Sequence, residues 1–129
     1  MMMVQMEWSD KLSVGVTLID EDHKKLVAMV NELFSACFAG VGDEVVTSIL
    51  AKVIDYTHYH FSREEALLRE LNSPDLEKQM KEHSYLIQQV TAISQQGATA
   101  LSEEVLLFLR DWLTHHILET DMASFRSCR

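Results

Sequence analysis

Several residues in this chain pair imidazole with carboxylate at helical spacings. His60 and Glu64 stand four apart, so on a helix they project from one face. Gln79 and His83 repeat that spacing. His116 and Asp121 stand five apart, which an ideal helix would splay by about 140°. A local widening or fraying of the helix would bring both inward. Imidazole and carboxylate together suit iron, zinc or manganese rather than calcium. Two carboxylates among four histidines, His23 included, point to two metals bridged by the carboxylates. Four-helix bundles are known hosts of such iron–carboxylate sites.

The elements that must position these groups are helices. Breakers fall at Gly40-Val41-Gly42, at Asn72-Ser73-Pro74, and at Gln95-Gln96-Gly97 with Ala98-Thr99-Ala100. The segments between them have helical periodicity. The first helix is expected from Leu18 to Ala39, with Leu26, Val30, Leu33 and Phe34 inward. The second runs from Asp43 to Leu71, with the stripe Val46, Ile49, Leu50, Val53, Tyr56, His60, Glu64, Leu67 and Leu71. Asn72 takes the left-handed conformation that ends it. Ser73 caps the third helix with Pro74 at its first position. That helix runs to Ser94, with Gln79, His83, Leu86, Val90 and Ile93 inward. Ser102, followed by Glu103 and Glu104, caps the fourth, whose stripe is Val105, Leu109, Trp112 and His116. Residues 1–17 form an arm whose Trp8 and Val14 pack on the bundle, and residues 18–124 form the bundle itself. Short connections make neighbours antiparallel, so the fold class is all-α: an up-down-up-down four-helix bundle with an N-terminal arm.

That topology brings the chemistry together. His23 lies near the start of the first helix. His60 and Glu64 lie near the end of the second, and Gln79 and His83 near the start of the third. His116 and Asp121 lie in the last turns of the fourth. At 1.5 Å per residue each is roughly 5–18 Å from its helix end, and in an antiparallel bundle these are all the same end. A lone inward histidine reads as a hydrogen-bonded core residue. Several at one depth read as a site, because each buried polar group costs free energy unless it is satisfied.

Composition narrows the classes. With 129 residues the chain is expected to be a single domain, 1–129. Four Gly and one Pro are too few for an all-β fold, and 47% apolar residues are too many for disorder. The formal charge of −9 argues against nucleic acid, which needs clustered Lys and Arg. No apolar run approaches the ~18 residues of a membrane span, so no membrane partner is expected. The opening MMMVQMEWSD does not read as a signal peptide. Cys37 and Cys128 have neither metal nor redox spacing, so a reducing cytoplasm is the expected location. Cys37 reads as a small core residue and Cys128 as part of a frayed terminus. His58 and His115 fall off the inward stripes and read as surface or outer residues. Asp22 and Glu65 are candidates to hydrogen-bond a ligand. The Glu and Lys runs of the third helix read as a solvated face.

Five stretches in order carry a resemblance to a family. They are Trp8 with Leu12-Ser13-Val14-Gly15-Val16, then Ile19-Asp20-Glu21-Asp22-His23-Lys24-Lys25-Leu26, then His60-Phe61-Ser62-Arg63-Glu64-Glu65. Glu82-His83 follows, and last Trp112-Leu113-Thr114-His115-His116-Ile117 with Asp121. The sequence resembles the bacterial hemerythrins over nearly its whole length. The resemblance implies a non-heme di-iron centre, two iron ions (Fe2+/Fe3+) with an oxo or hydroxo bridge, that binds O2 between four helices. It implies His23 and His60 on the iron that binds O2, Glu64 and Asp121 as bridges, and His83 and His116 on the other iron.

One position departs from that pattern. The family's third-helix motif is a pair of histidines four apart, and here Gln79 takes the first place. Ile87 stands four after His83, so no shift of register restores the pair. The second iron then loses one imidazole, with the Gln79 amide oxygen or a water in its place. Two functions follow as expectations. One is O2 binding for sensing, storage, transport or delivery, with any output through a separate protein partner. The other is a di-iron redox enzyme or scavenger that consumes O2, peroxide or nitric oxide.

Overall fold

The computed structural model describes residues 6–97 and 103–126. Ser102, Cys128 and the Ala98-Thr99-Ala100 part of the third breaker, given roles above, lie outside the described residues. A 3₁₀ turn, Asp10–Leu12, precedes α1 (Thr17–Ala39), α2 (Asp43–Glu70), α3 (Leu76–Gln96) and α4 (Glu103–His115). A π-helical turn, His116–Asp121, continues α4 directly into α5 (Met122–Arg126), so the last three pieces form one long fourth helix. No strand occurs among the described residues. The result is the four-helix bundle expected from the breakers.

The breakers act as their chemistry dictates. Gly40 ends α1 in the left-handed region at φ 66°, where a Cβ would be strained. Asn72 is the one described non-glycine residue with positive φ, 55°, just past α2. The third helix starts later than Ser73-Pro74 suggested. Asp75 is its cap residue, and the Ser73 hydroxyl instead accepts from the Asp75 amide at 3.1 Å. A serine two residues ahead of a helix can close its own turn on the backbone, and here that competes with capping.

Packing divides the interior into two apolar clusters with polar groups between them. Leu26, Val30, Leu33, Phe34, Leu50, Val53, Leu86, Val90, Leu106, Leu109 and Leu113 belong to the larger cluster. Val14, Ile19, Leu68 and Phe125 form a smaller plug at one end. On α1, α2 and the fourth helix the candidate site residues lie between a member of the plug and members of the main core. On α3 Gln79 and His83 lie between Leu76, which packs on the plug, and Leu86 of the main core. Burying side chains of this size stabilises by about 1.5–3 kcal/mol each. Those contacts on both sides offset the cost of a polar slab in the middle. Two stripes need correction: in α2 the plug is reached by Leu68 with Leu67 packed beside it, while Leu71 is exposed, and in α4 the buried set is Leu106, Leu109 and Leu113, with Val105 and Trp112 half-buried.

The arm packs as expected. Val14 is fully buried and Trp8 lies half-buried against the main core. The Val14 amide donates to Asp20 Oδ1 at 2.8 Å, which ties the end of the arm to the first turn of α1. Asn31 exchanges two hydrogen bonds with the Met6 backbone, at 3.0 and 2.7 Å.

Candidate metal centre

His23 on α1, His60 and Glu64 on α2, His83 on α3, and His116 and Asp121 on the fourth helix meet in one buried slab. They divide into two overlapping groups: His23, His60, Glu64 and Asp121, and then Glu64, His83, His116 and Asp121. Within each group the candidate ligand atoms all lie within 4.8 Å of one another. The two carboxylates belong to both. Asp121 faces each group with one oxygen: Oδ2 is 3.0 Å from His23 Nε2 and Oδ1 is 3.2 Å from His116 Nε2.

The π turn explains how residues five apart share a face. It spans His116–Asp121, and both ends are buried. In an i→i+5 turn, residues five apart stack much as residues four apart do in an α-helix. The turn therefore amounts to one extra residue in an α-helix. Deleting the exposed Glu119 should leave His116 and Asp121 on one face and the thermal midpoint of the metal-free chain unchanged within the equivalent of ~0.5 kcal/mol. A large fall in that midpoint would show that the turn is more than a single insertion.

Three of the four rings are held from behind by a carboxylate. His60 Nδ1 lies 3.0 Å from Asp22 Oδ2, His83 Nδ1 lies 2.8 Å from Glu65 Oε2, and His116 Nδ1 lies 3.0 Å from Glu82 Oε1. Such a partner takes the Nδ1 proton and leaves the Nε2 lone pair facing inward. Asp22 also accepts from the Tyr56 hydroxyl at 3.0 Å and sits 3.1 Å from Arg63 Nε. Flat contacts fix the ring planes: Phe61 stacks on His83 at 3.8 Å, and Trp112 on His116 at 4.7 Å. Asp22 and Glu65 thus each contact the ring of a candidate ligand, His60 and His83. Glu82 does not belong to a solvated face, since it binds His116 and accepts from Thr120 at 2.8 Å. Its partners are on another helix, so the periodicity of α3 carries no signal for it. His58 and His115 are exposed.

The donor atoms fit a cation. His23 Nδ1 and Nε2, His60 Nε2, both Glu64 oxygens and Asp121 Oδ2 are buried without a hydrogen-bond partner. Yet His60 Nε2 is only 2.8 Å from Glu64 Oε1. Atoms this close without hydrogen-bond alignment converge on a common point instead of on each other. His83 and His116 bring their Nε2 atoms to 3.1 Å, which two lone pairs do not tolerate without positive charge between them. In the metal-free chain protons supply that charge. Burial pushes His23 down, but the Asp121 and Glu64 carboxylates beside it outweigh that and raise the ring to about 9. Burial opposes His116 too, and the Asp121 charge leads the groups that raise it to about 10. His83 goes the other way, lowered by burial and by its His116 neighbour.

A pH dependence follows for the metal-free chain. His23 and His116 are raised above their unfolded value of 6.5, so their contribution is complete below pH 6.5. It is lost as pH climbs through about 9 and about 10. His83, being lowered, acts only below pH 6.5 and with opposite sign. With a chelator present, the urea midpoint should therefore fall between pH 6.5 and 10. A flat or rising midpoint over that range would contradict the paired-histidine picture.

Gln79 is fully buried beside Asp121. Its Nε2 donates to Asp121 Oδ1 at 2.9 Å and to Ser124 Oγ at 3.1 Å, while Oε1 has no partner. Ser124 and Asp75, which complete that contact, were not singled out from the sequence.

Known proteins share this architecture. Residues 14–126 match the model of the hemerythrin HHE cation binding domain family. The chain is similar to a bacteriohemerythrin of Stenotrophomonas maltophilia, 30% identical over 123 residues, covering 94% of this chain and 80% of that protein. It is also similar to a hemerythrin-like protein of Naegleria gruberi, 27% identical over 115 residues, covering 89% and 87%. A crystal structure of wild-type hemerythrin superposes with a TM-score of 0.87 at 25% identity, covering 93% of this chain and 95% of the other.

Proposed function

The chain belongs to the hemerythrin HHE cation binding domain family, and we propose that it is a non-heme di-iron protein that binds O2. The observation that carries this reading is the pair of overlapping ligand groups with Glu64 and Asp121 common to both. His23 and His60 would hold one iron, and His83 and His116 the other, with the two carboxylates spanning them. A pair of iron ions there would supply the electrons that bind and release O2. The chain's own residues do the rest. Asp22, Glu65 and Glu82 hold three imidazoles in the tautomer that faces inward. Phe61 and the two apolar clusters keep water from the slab.

Gln79 favours a second reading, a centre that consumes O2, peroxide or nitric oxide. The position at His83 and His116 has one imidazole fewer than the family pattern, and a missing ligand exposes a metal to oxidants. The two readings separate by cycling oxygen over the reduced, iron-loaded protein. O2 binding predicts a colour change that reverses on deoxygenation over repeated cycles. Loss of the colour after one cycle, with O2 or peroxide consumed in proportion to added reductant, would favour the second reading. No helix among the described residues is long and apolar enough to cross a membrane. A cytoplasmic location and a separate protein partner for signalling or delivery complete the proposal.

A further inference from the structure

We propose that Gln79 is not a metal ligand but a positioning residue, an amide that Ser124 and Asp75 lock with its nitrogen toward Asp121. The proposal rests on the dinuclear reading above. An amide has two donors on one side and an acceptor on the other. The direction of this one is decided by its neighbours. Asp121 Oδ1, 2.9 Å from Nε2, is a carboxylate oxygen and only accepts. Ser124 Oγ, 3.1 Å from Nε2, gives its own proton to Asp75 Oδ2 at 3.0 Å, so toward Gln79 it also accepts. Turning the amide over would set Oε1 against two lone-pair donors and leave a buried N–H with no acceptor. As it stands, only the Gln79 Oε1 acceptor is unpaired, the smaller of the two costs.

Asp75 is itself held. Its amide donates to Ser73 Oγ at 3.1 Å, and its carbonyl accepts from the Gln79 amide at 2.9 Å. The chain Asp75–Ser124–Gln79–Asp121 thus runs from a half-buried carboxylate at the start of α3 to a fully buried one in the slab. It does two things. It fixes the Asp121 oxygen that faces His116. It also keeps the Gln79 oxygen off the second metal position, where the chain then supplies two imidazoles and a share of two carboxylates. A coordination place is left there for a small exogenous ligand such as water or azide.

The test uses the full chain, uniformly labelled with 15N and loaded with Zn(II), which is diamagnetic and redox-silent. Zinc per chain is measured first. The Gln79 side-chain NH2 signals, assigned through bonds, should exchange slowly with D2O. Ser124→Ala removes one acceptor and should speed that exchange roughly fivefold to tenfold, the loss of one hydrogen bond. Backbone exchange at Leu86 and Leu109 should stay as in the parent. Unchanged side-chain exchange would mean that the nitrogen does not face Ser124, and the assignment fails. Equal acceleration at Leu86 and Leu109 would mean general loosening, and the assignment fails again. If Ser124→Ala does not fold, Asp75→Ala at the half-buried end frees the Ser124 proton to turn toward the amide, with the same acceleration expected. One zinc or fewer per chain in the parent protein at saturating Zn(II) would instead overturn the dinuclear reading. Two zincs with unaltered NH2 exchange would overturn only the role given to Gln79.

Discussion

Iron content should fall from about two per chain to below one when Glu64 or Asp121 is replaced by alanine, because each carboxylate belongs to both ligand groups. Loss of a histidine would be milder. His60→Ala removes a donor from one group only, so it should reduce one position and spare much of the other. Asp121 is the sharper case. Its two oxygens face His23 and His116 separately, at 3.0 and 3.2 Å, so its removal takes a donor from each position at once. The metal-free variants should still fold, since the apolar clusters that build the bundle lie on either side of the slab. Helical circular dichroism with a chelator checks that. Native iron content of Glu64→Ala or Asp121→Ala would remove the bridging assignment, whatever its effect on colour or O2.

The legible part of this molecule was its helical frame and the convergence of its polar residues at one end. Breakers such as Gly40 and Asn72 have backbone requirements that few other residues meet, so they announce themselves in a single sequence. The convergence followed from topology alone, because antiparallel helices place the end of one beside the start of the next. Legibility stopped where a residue's partner lies on another helix. Glu82 looked solvated in its own helix and instead pairs with His116 across the bundle. Ser124 carries no periodic signal, since its meaning depends on Asp75 and Gln79. The π turn was an open choice between widening and fraying. It is set by the need to bury both His116 and Asp121 while Phe125 still reaches the end plug. In α2 the stripe holds down to Leu67, which packs half-buried on the plug beside the fully buried Leu68. Leu71 falls off it because the helix ends at Glu70 and Leu71 is only its cap residue.

Gln79→His should raise the affinity of the second metal position on the order of tenfold and slow the decay of the O2-dependent absorbance. The substitution does two things at once. It adds an imidazole, a better ligand for Fe(II) than a neutral amide, where the chain now presents an N–H donor. It also fills the coordination place through which water or an oxidant reaches the metal. Both effects act at the His83 and His116 position, so the His23 and His60 position should keep its affinity. A titration with Fe(II) under anaerobic conditions should therefore show two unequal steps in the parent protein and more equal ones in the variant. The new ring also costs the chain something. Asp121 Oδ1 loses the bond it accepts from Gln79 Nε2, and Ser124 Oγ loses the same donor. In the metal-free state those losses are uncompensated, so the variant should unfold at lower urea than the parent with a chelator present. With iron bound, ligation offsets the loss and the order should reverse. That crossover separates a metal effect from a packing effect, because a ring that merely filled space would shift both states alike. Identical second-step affinities and identical decay of the absorbance in the two proteins would mean that Gln79 already serves as a full ligand or stands apart from the centre.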